Sequence, residues 1–198
     1  MENENFYLKM DSYCAISPAL KAYLSIALVK RIIPAHHQIE ERDYSQTPIL
    51  FIEQGTCKTK LQSKKEPDES ILILHLEHTF LTESEERNPD DFAIQTVAIA
   101  PSILVGIPEK HIYNLYRLFP EFHVFINALH REQLSKLFHL AFSIRHLSAD
   151  ERFEQIISRH PDIFQIASSI DIASSLGIHS HTLSTLKKKY LSGKRRKT

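Results

Sequence analysis

The spacing of apolar and polar residues changes several times along the chain, and each change predicts a different element. Ser17-Pro18 followed by apolar residues at helical spacing over 20–28 predicts an N-capped helix with proline in its first turn. The pattern then becomes strand-like: an apolar run at 49–52, the turn pair Gln54-Gly55, and strict alternation over 57–62. This pattern is typical of a β-hairpin.

Three more short apolar runs follow the expected hairpin, separated by polar stretches at 63–70 and 83–91. They lie at 71–76, 93–99 and 103–107. Several short strands within about 80 residues predict a small antiparallel roll or barrel.

Helical spacing returns after Pro120 and continues to Leu147, which predicts a long helix at about 121–147. His123, His130 and Gln133 interrupt its apolar stripe and argue against a strong autonomous coiled coil. In the second half, apolar residues repeat three and four positions apart, the spacing with which a helix packs against an identical partner. These residues are Leu137, Leu140, Ile144 and Leu147. The alternative is that the stripe packs on its own domain.

Ser148 and Glu151 match a capping box, which predicts a further helix after the long one. This helix should stop near Arg159, because the residue before Pro161 is disfavoured in helical conformation.

Residues 169–190 have the spacing of a helix-turn-helix motif. A small residue, Ala173, allows the second helix to cross closely, and Gly177 tolerates the positive φ of a tight turn. Ser180 is the expected N-cap of the second helix. The alternative, an ordinary helical hairpin in an all-α core, has no need of a polar outer face.

The outer face of that second helix carries the candidate DNA-binding residues. Five of them are expected to face base edges or nearby phosphates, namely Ser180, His181, Thr182, Ser184 and Thr185. Three lysines at the far end, Lys187, Lys188 and Lys189, are expected to contact phosphates.

Composition and charge agree with a folded chain that has an uneven charge distribution. Its 198 residues are 42% hydrophobic and 24% charged, enough for one ample domain or two small ones. Lys+Arg and Asp+Glu number 24 each, but residues 187–198 hold seven of the basic ones and no acid. The rest of the chain therefore has 17 basic against 24 acidic residues. A basic block on an acidic body points to a polyanion as partner.

Other functional classes find little support. No secretory signal or apolar run of membrane-spanning length occurs, so a soluble cytoplasmic protein that does not contact a membrane is expected. Cys14 and Cys57 form no CxxC and are expected to be small buried thiols. The 12 histidines lack partners at zinc-ligand spacing, and four glycines leave little material for a phosphate loop. Ser102 has no nucleophile elbow around it. We therefore expect no metal, no cofactor and no enzymatic activity.

Three features together resemble the Crp/Fnr superfamily of bacterial transcription regulators: Phe51-Ile52 with Gly55, the long helix after 120–122, and the motif at 171–189. The resemblance implies an α+β fold: an antiparallel β-roll of jelly-roll (double-stranded β-helix) type with flanking helices. It implies a sensor-like roll at 1–120, a connecting and dimerising helix at 121–147 and a helix-turn-helix DNA-binding domain at 148–198. Double-stranded DNA, a second copy of the chain and RNA polymerase are the implied partners.

Two departures from the family pattern limit what the resemblance implies. The stretch corresponding to the family's phosphate cassette, 78–92, contains no glycine, and its only base, Arg87, lies among five carboxylates at 83–91. A buried cyclic phosphate needs amides and an arginine in place of water, so no response to cyclic AMP is expected. The second helix has Ser180-His181 and Thr185 where many relatives carry arginines and a glutamate.

The expected function is therefore a sequence-specific DNA-binding transcription regulator that does not respond to cyclic AMP. The alternative is a ligand- or protein-binding β-roll whose helix-turn-helix no longer reads DNA specifically.

Overall fold

The computed structural model describes residues 3–63, 69–82 and 92–195. Contacts divide the chain into two compact units, Met1–Glu69 with Ile73–Leu134, and Ser70–Leu72 with Ser135–Thr198. The predicted division into three parts at residues 120 and 147 stays a prediction.

The first unit is built from short helices and two sheets. Its helices are α1 (Glu4–Asp11), α2 (Pro18–Ala27), α3 (Glu41–Gln46), α4 (Glu109–Leu118) and the first half of α5 (Pro120–His146). Four of the described strands end at or before residue 63, namely β1 (Val29–Ile33), β2 (Gln38–Ile39), β3 (Ile49–Gln54) and β4 (Cys57–Ser63). Four follow it, namely β5 (Glu69–His75), β6 (Phe80–Thr82), β7 (Phe92–Ala98) and β8 (Ser102–Ile107).

The strands form two four-stranded sheets, ordered β1-β8-β3-β6 and β2-β7-β4-β5. The described registers are antiparallel, for example Leu50 opposite Gly106 in β3–β8 and Thr59 opposite Thr96 in β4–β7. This confirms the predicted α+β fold with an antiparallel roll and flanking helices.

The predicted β-hairpin at Gln54-Gly55 is wrong, because β3 and β4 belong to different sheets. Gly55 has φ +98 and lies so close to Ser102 that an added Cβ would collide with its side chain. The turn therefore carries the chain from one sheet to the other. Local alternation predicts strands correctly but does not specify which strands pair.

Strand β3 shows why the run at 49–52 is apolar on both faces. Ile49 and Phe51 belong to a core that the sheet shares with the helices, whereas Leu50 and Ile52 belong to a second core with residues of both sheets. Since each face of the strand is covered, neither face needs polar side chains. In the helix-side core, Phe51 packs against Phe80 with ring centroids 5.0 Å apart.

Several elements of the first unit were not predicted from the sequence. They are α1, β1, β2, α3, β6 and α4. Helix α2 confirms its predicted start, because the Ser17 hydroxyl accepts from the Leu20 N–H at 3.1 Å and Pro18 is the first helical residue.

The second unit contains the second half of α5 and four further helices. They are α6 (Ala149–Arg159), α7 (Ile163–Ile166), α8 (Ser169–Ser175) and α9 (Ser180–Arg195). Helix α6 has the predicted capping box, with the Ser148 N–H donating to Glu151 Oε2 at 2.7 Å, and ends at the predicted Arg159. In the described ranges, none of the helices combines the length and apolar character that a membrane crossing requires.

Candidate nucleic-acid interface

Helices α8 and α9 and the turn between them form the predicted helix-turn-helix. Ser168 caps α8, its hydroxyl accepting from the Asp171 N–H at 3.1 Å. Two nested backbone hydrogen bonds close the turn. The Ile178 N–H donates to Ala173 O at 3.0 Å, and the Gly177 N–H donates to Ser174 O at 2.9 Å. Gly177 has φ +62, so this is a Schellman motif with glycine at the left-handed position. The glycine is required because a side chain is strained in that conformation.

A small apolar core holds the two helices at a fixed angle. The buried residues of the motif are Ile172, Ala173, Leu176, Leu183 and Leu186. From outside the motif, Phe153, Ile157, Ile163 and Ala167 are buried in the same unit. The rigid packing leaves one side of α9 outside the core.

The predicted DNA-binding residues lie on that outer side of α9. Six are exposed, namely Ser180, His181, Ser184, Thr185, Lys188 and Lys189, and two are half-buried, Thr182 and Lys187. One detail of the prediction is wrong: Ser180 is the first helical residue and not the N-cap. His179 precedes the helix, and its carbonyl accepts from the Leu183 N–H at 3.1 Å.

Two hydroxyls of this face bond back to the helix. Ser184 Oγ donates to Ser180 O at 3.0 Å, and Thr185 Oγ1 donates to His181 O at 3.2 Å. Their hydrogens are therefore engaged, while the oxygen lone pairs can still accept from another group.

The three lysines have different surroundings. Lys188 is exposed, whereas Lys187 Nζ lies 3.9 Å above the Phe164 ring centroid. Lys189 Nζ donates to Asp150 Oδ1 at 2.5 Å. This hydrogen bond and the carboxylate charge raise the pKa of Lys189 above its usual value. Sequence reasoning missed Phe164 and Asp150, because no local pattern connects them to lysines more than 20 residues later.

The second half of α5 exposes an apolar face. The exposed side chains are Leu134, Leu137, Phe138, Phe142 and Ile144, with Phe138 at 66% exposure. Of the four residues predicted to form the partner-facing edge, Leu140 and Leu147 are instead half-buried. Ile144 lies beside the turn of the motif, since a Cβ on Gly177 would be 3.7 Å from its Cγ1. The exposed apolar face therefore includes Leu134 and Phe138 as well as Leu137 and Ile144 of the predicted edge.

The segment compared with the phosphate cassette, 78–92, is described only at its two ends. Residues 83–91, with Arg87 and its five acidic neighbours, lie outside the described residues. His78 has φ +62 and stacks on Phe51, with ring centroids 6.2 Å apart and planes at 12°. Within the described part of the chain, no group of three or more His, Cys, Asp and Glu side chains could hold a metal ion.

No protein-family model matches the sequence, and no curated protein is significantly similar to it. Solved structures are similar over most of the chain. One is a protein from Eubacterium rectale assigned to the Crp/Fnr family of transcriptional regulators, with TM-score 0.64, 16% identity and coverage of 90% of this chain and 85% of the other.

Two further solved structures are similar over most of the chain. A cyclic nucleotide-binding domain containing protein from Listeria monocytogenes EGD-e has TM-score 0.66 and 14% identity, covering 96% of this chain and 92% of its own. FixK2 from Bradyrhizobium japonicum has TM-score 0.68 and 12% identity, covering 84% and 85%. The chain therefore has the fold shared by Crp/Fnr regulators and cyclic nucleotide-binding domain proteins.

Proposed function

We propose that the protein is a sequence-specific, double-stranded-DNA-binding transcription regulator of the Crp/Fnr type that acts as a homodimer. The observation that carries this proposal is the α8–α9 motif, whose Schellman turn and buried core present one polar, partly basic helix face to solvent. A hairpin that served only to fill a core would gain nothing from that face. The fold shared with transcription regulators supports the same function.

In the proposed complex α9 lies in the major groove with its N-terminal turns against the base edges. The hydroxyls of Thr182, Ser184 and Thr185 and the imidazole of His181 supply acceptors and donors for base edges. The lysines at 187–189 supply positive charge for the phosphate backbone, which adds affinity without sequence preference.

A single short helix contacts few base pairs, so useful affinity requires a second copy of the chain. The exposed apolar face on the second half of α5 supports a homodimer formed there. Its members alternate at three and four residues, as in Leu134, Leu137, Ala141 and Ile144, which is the spacing of helices packed side by side.

Selection of bound sequences from random duplex DNA by the full chain tests the proposal. We expect an inverted repeat whose half-site centres lie about 34 Å apart, one helical turn. His181→Ala with Thr182→Ala should change the selected sequence, whereas Lys110→Ala, an exposed lysine of α4, should not. Recovery of unrelated sequences only would contradict the proposal and favour the alternative, a roll module whose motif no longer reads DNA.

Salt dependence tests the role of the lysines. Replacing Lys187, Lys188 and Lys189 by Ala should weaken binding to all sequences and reduce the log–log salt slope by up to about 0.9 for each phosphate that is no longer neutralised. Asp150→Asn should instead strengthen binding to all sequences, because the Asp150 carboxylate competes with phosphate for Lys189. Since exposed ion pairs are weak, we expect a gain of at most about fivefold in affinity at low salt. An unchanged slope in the triple variant would remove the lysines from the interface.

The proposed regulator does not respond to cyclic AMP. This part of the proposal rests on the sequence of 83–91 alone, which contains five acidic residues and a single basic residue, Arg87. Calorimetry with millimolar cyclic AMP should show no saturable heat, and a dissociation constant below about 10 μM would contradict it. Contact with RNA polymerase stays a prediction.

A further inference from the structure

The junction between α5 and α6 is short and is closed by side-chain contacts. Only Leu147 and Ser148 separate the two helices. Ser148 forms the capping box of α6, donating its N–H and hydroxyl to Glu151 Oε2 at 2.7 and 2.8 Å. The first turn of α6 is therefore fixed locally before any longer-range contact is counted.

Arg152, on the next turn of α6, reaches back to the end of α5. Its Nη1 donates to Leu147 O at 2.7 Å and also contacts Ser143 O at 3.4 Å and Ile144 O at 3.5 Å. The Ser143 and Ile144 carbonyls lie in the last turn of α5 and the Leu147 carbonyl lies just after it, and Ser143 O also accepts from the Leu147 N–H at 3.0 Å. Because the C-terminal end of a helix is negative, a guanidinium is favoured there by charge as well as by hydrogen bonding.

The Arg152 contacts restrict the angle between α5 and α6 more than the two-residue connection alone would. The guanidinium is partly enclosed, and its Nε is buried without a hydrogen-bond partner among the described residues. One side chain of α6 thus contacts carbonyls from three positions of the preceding segment. A change in the angle between α5 and α6 would break these contacts together.

The α5–α6 angle determines the direction of α9, because α6 packs in the same apolar core as the helix-turn-helix. Phe153 and Ile157 of α6 are buried, and Phe153 packs edge-on against Tyr190 of α9 with ring centroids 6.0 Å apart. The second half of α5, α6 and α9 are thereby connected as one body within the second unit.

We propose that Arg152 is a positioning residue that sets the spacing of the two DNA half-sites by fixing α6, and with it α9, against α5. This inference rests on the proposed function, since it presumes a dimer formed through α5 that binds an inverted repeat. Without the guanidinium, the helix-turn-helix of each copy would sample several orientations relative to α5. Binding to half-sites at one spacing would then require fixing that orientation, a cost in conformational entropy that the wild-type protein does not have at binding.

A panel of inverted repeats tests this, with identical half-sites and centre-to-centre spacings from about 8 to 13 base pairs around the expected single turn. We expect the wild-type chain to prefer one spacing by about tenfold or more, and Arg152→Gln to reduce that preference to less than about threefold. Affinity for a single half-site and the salt slope should not change, because Arg152 touches neither bases nor phosphates.

Two variants keep the test specific. Arg159→Gln removes the same charge from the exposed last turn of α6 and should keep the wild-type spacing profile. If Arg152→Gln does not fold, as judged by circular dichroism, Arg152→Lys takes its place. It retains the charge but not the guanidinium fork, and it should show an intermediate preference.

Two results would overturn the inference, and they are distinguishable. If the wild-type chain prefers one spacing and the Arg152 variant keeps that preference, Arg152 does not set the spacing, while the proposed function stands. If the wild-type chain selects no sequence at all, the proposed function fails and this inference fails with it.

Discussion

The two halves of α5 share one helix but have different surroundings. In the first half, Phe122, Phe125 and Leu129 are buried in the core of the first unit, with Phe125 fully inaccessible. In the second half, Leu137, Phe138 and Phe142 are exposed, although they are just as apolar. The first half therefore contributes to the stability of the single chain, whereas the second half has apolar surface that the described part of the chain leaves exposed.

Replacing one phenylalanine in each half should give the largest contrast. Phe125→Ala should destabilise the chain by about 3–5 kcal/mol, because it leaves a cavity in a closed core. Phe138→Ala should change stability by about 0.5 kcal/mol or less in dilute solution, because an exposed side chain packs against little else in the single chain. Urea unfolding at several protein concentrations measures both. Equal losses of stability for the two variants would remove the distinction between the halves.

Charge insertion in each half should separate folding from association. Leu137→Glu should dissociate the proposed dimer at micromolar concentration, because a carboxylate would be buried there without a partner. Val124→Glu is the matched control, since Val124 is exposed in the first half. Sedimentation of both variants measures the oligomeric state. A Leu137→Glu variant that remains dimeric would place the interface on another surface.

Acid should weaken the starts of α5 and α6, where Glu121 and Glu151 lie. The Ser17 hydroxyl donates to Glu121 Oε1 at 2.5 Å and lowers the pKa of Glu121, while the Ser148 N–H and hydroxyl lower the pKa of Glu151. A lowered folded-state pKa stabilises the fold above the unfolded pKa of about 4.3, and the contribution is lost as pH falls through the lower value.

Glu121→Gln and Glu151→Gln should therefore each make stability less dependent on pH below about 5. Urea midpoints measured from pH 7 down to the start of acid unfolding check this, with Glu41→Gln as an exposed control on α3. A variant whose midpoints fall with acid as steeply as those of the wild type would show that its carboxylate is not held in the charged form.

The smallest expected difference between the two halves of α5 is in the rate at which the Cys14 thiol is labelled. Cys14 Sγ donates to Glu121 O at 3.4 Å, and burial, together with the charges of Glu121 and Asp11, raises the pKa of its thiol. Its reaction with iodoacetamide at pH 8 should therefore be slow. Phe125→Ala should accelerate the reaction, because the cavity it leaves lies in the core against which Cys14 packs. Phe138→Ala should leave the rate unchanged. Cys57, whose pKa burial raises to about 12, should react only on unfolding and is the internal reference.

The sequence predicts features whose determinants are close together in the chain. Gly177 with its flanking aliphatic residues identified the helix-turn-helix, and Ser148 with Glu151 identified the start of α6. The contacts it did not predict join distant residues, such as Lys189 with Asp150. The pairing of β3 with β6 and β8 is of the same kind, and local alternation suggested β4 instead. Periodicity predicts the apolar stripe of α5 but not which of its members the chain itself covers, such as the half-buried Leu140.

Because β3 is covered on both faces, it can complete its packing only late in the synthesis of the chain. Its run at 49–52 is continuous in apolar character, and the strands that cover it come later, with β8 ending at Ile107. At about 5–20 residues per second, synthesis of the roughly 55 intervening residues takes about 3–11 s. During that interval β8, which pairs with every residue of the run, is missing, and the run has the composition of an aggregation-prone segment. The yield of folded protein should therefore depend on protecting this one strand during synthesis.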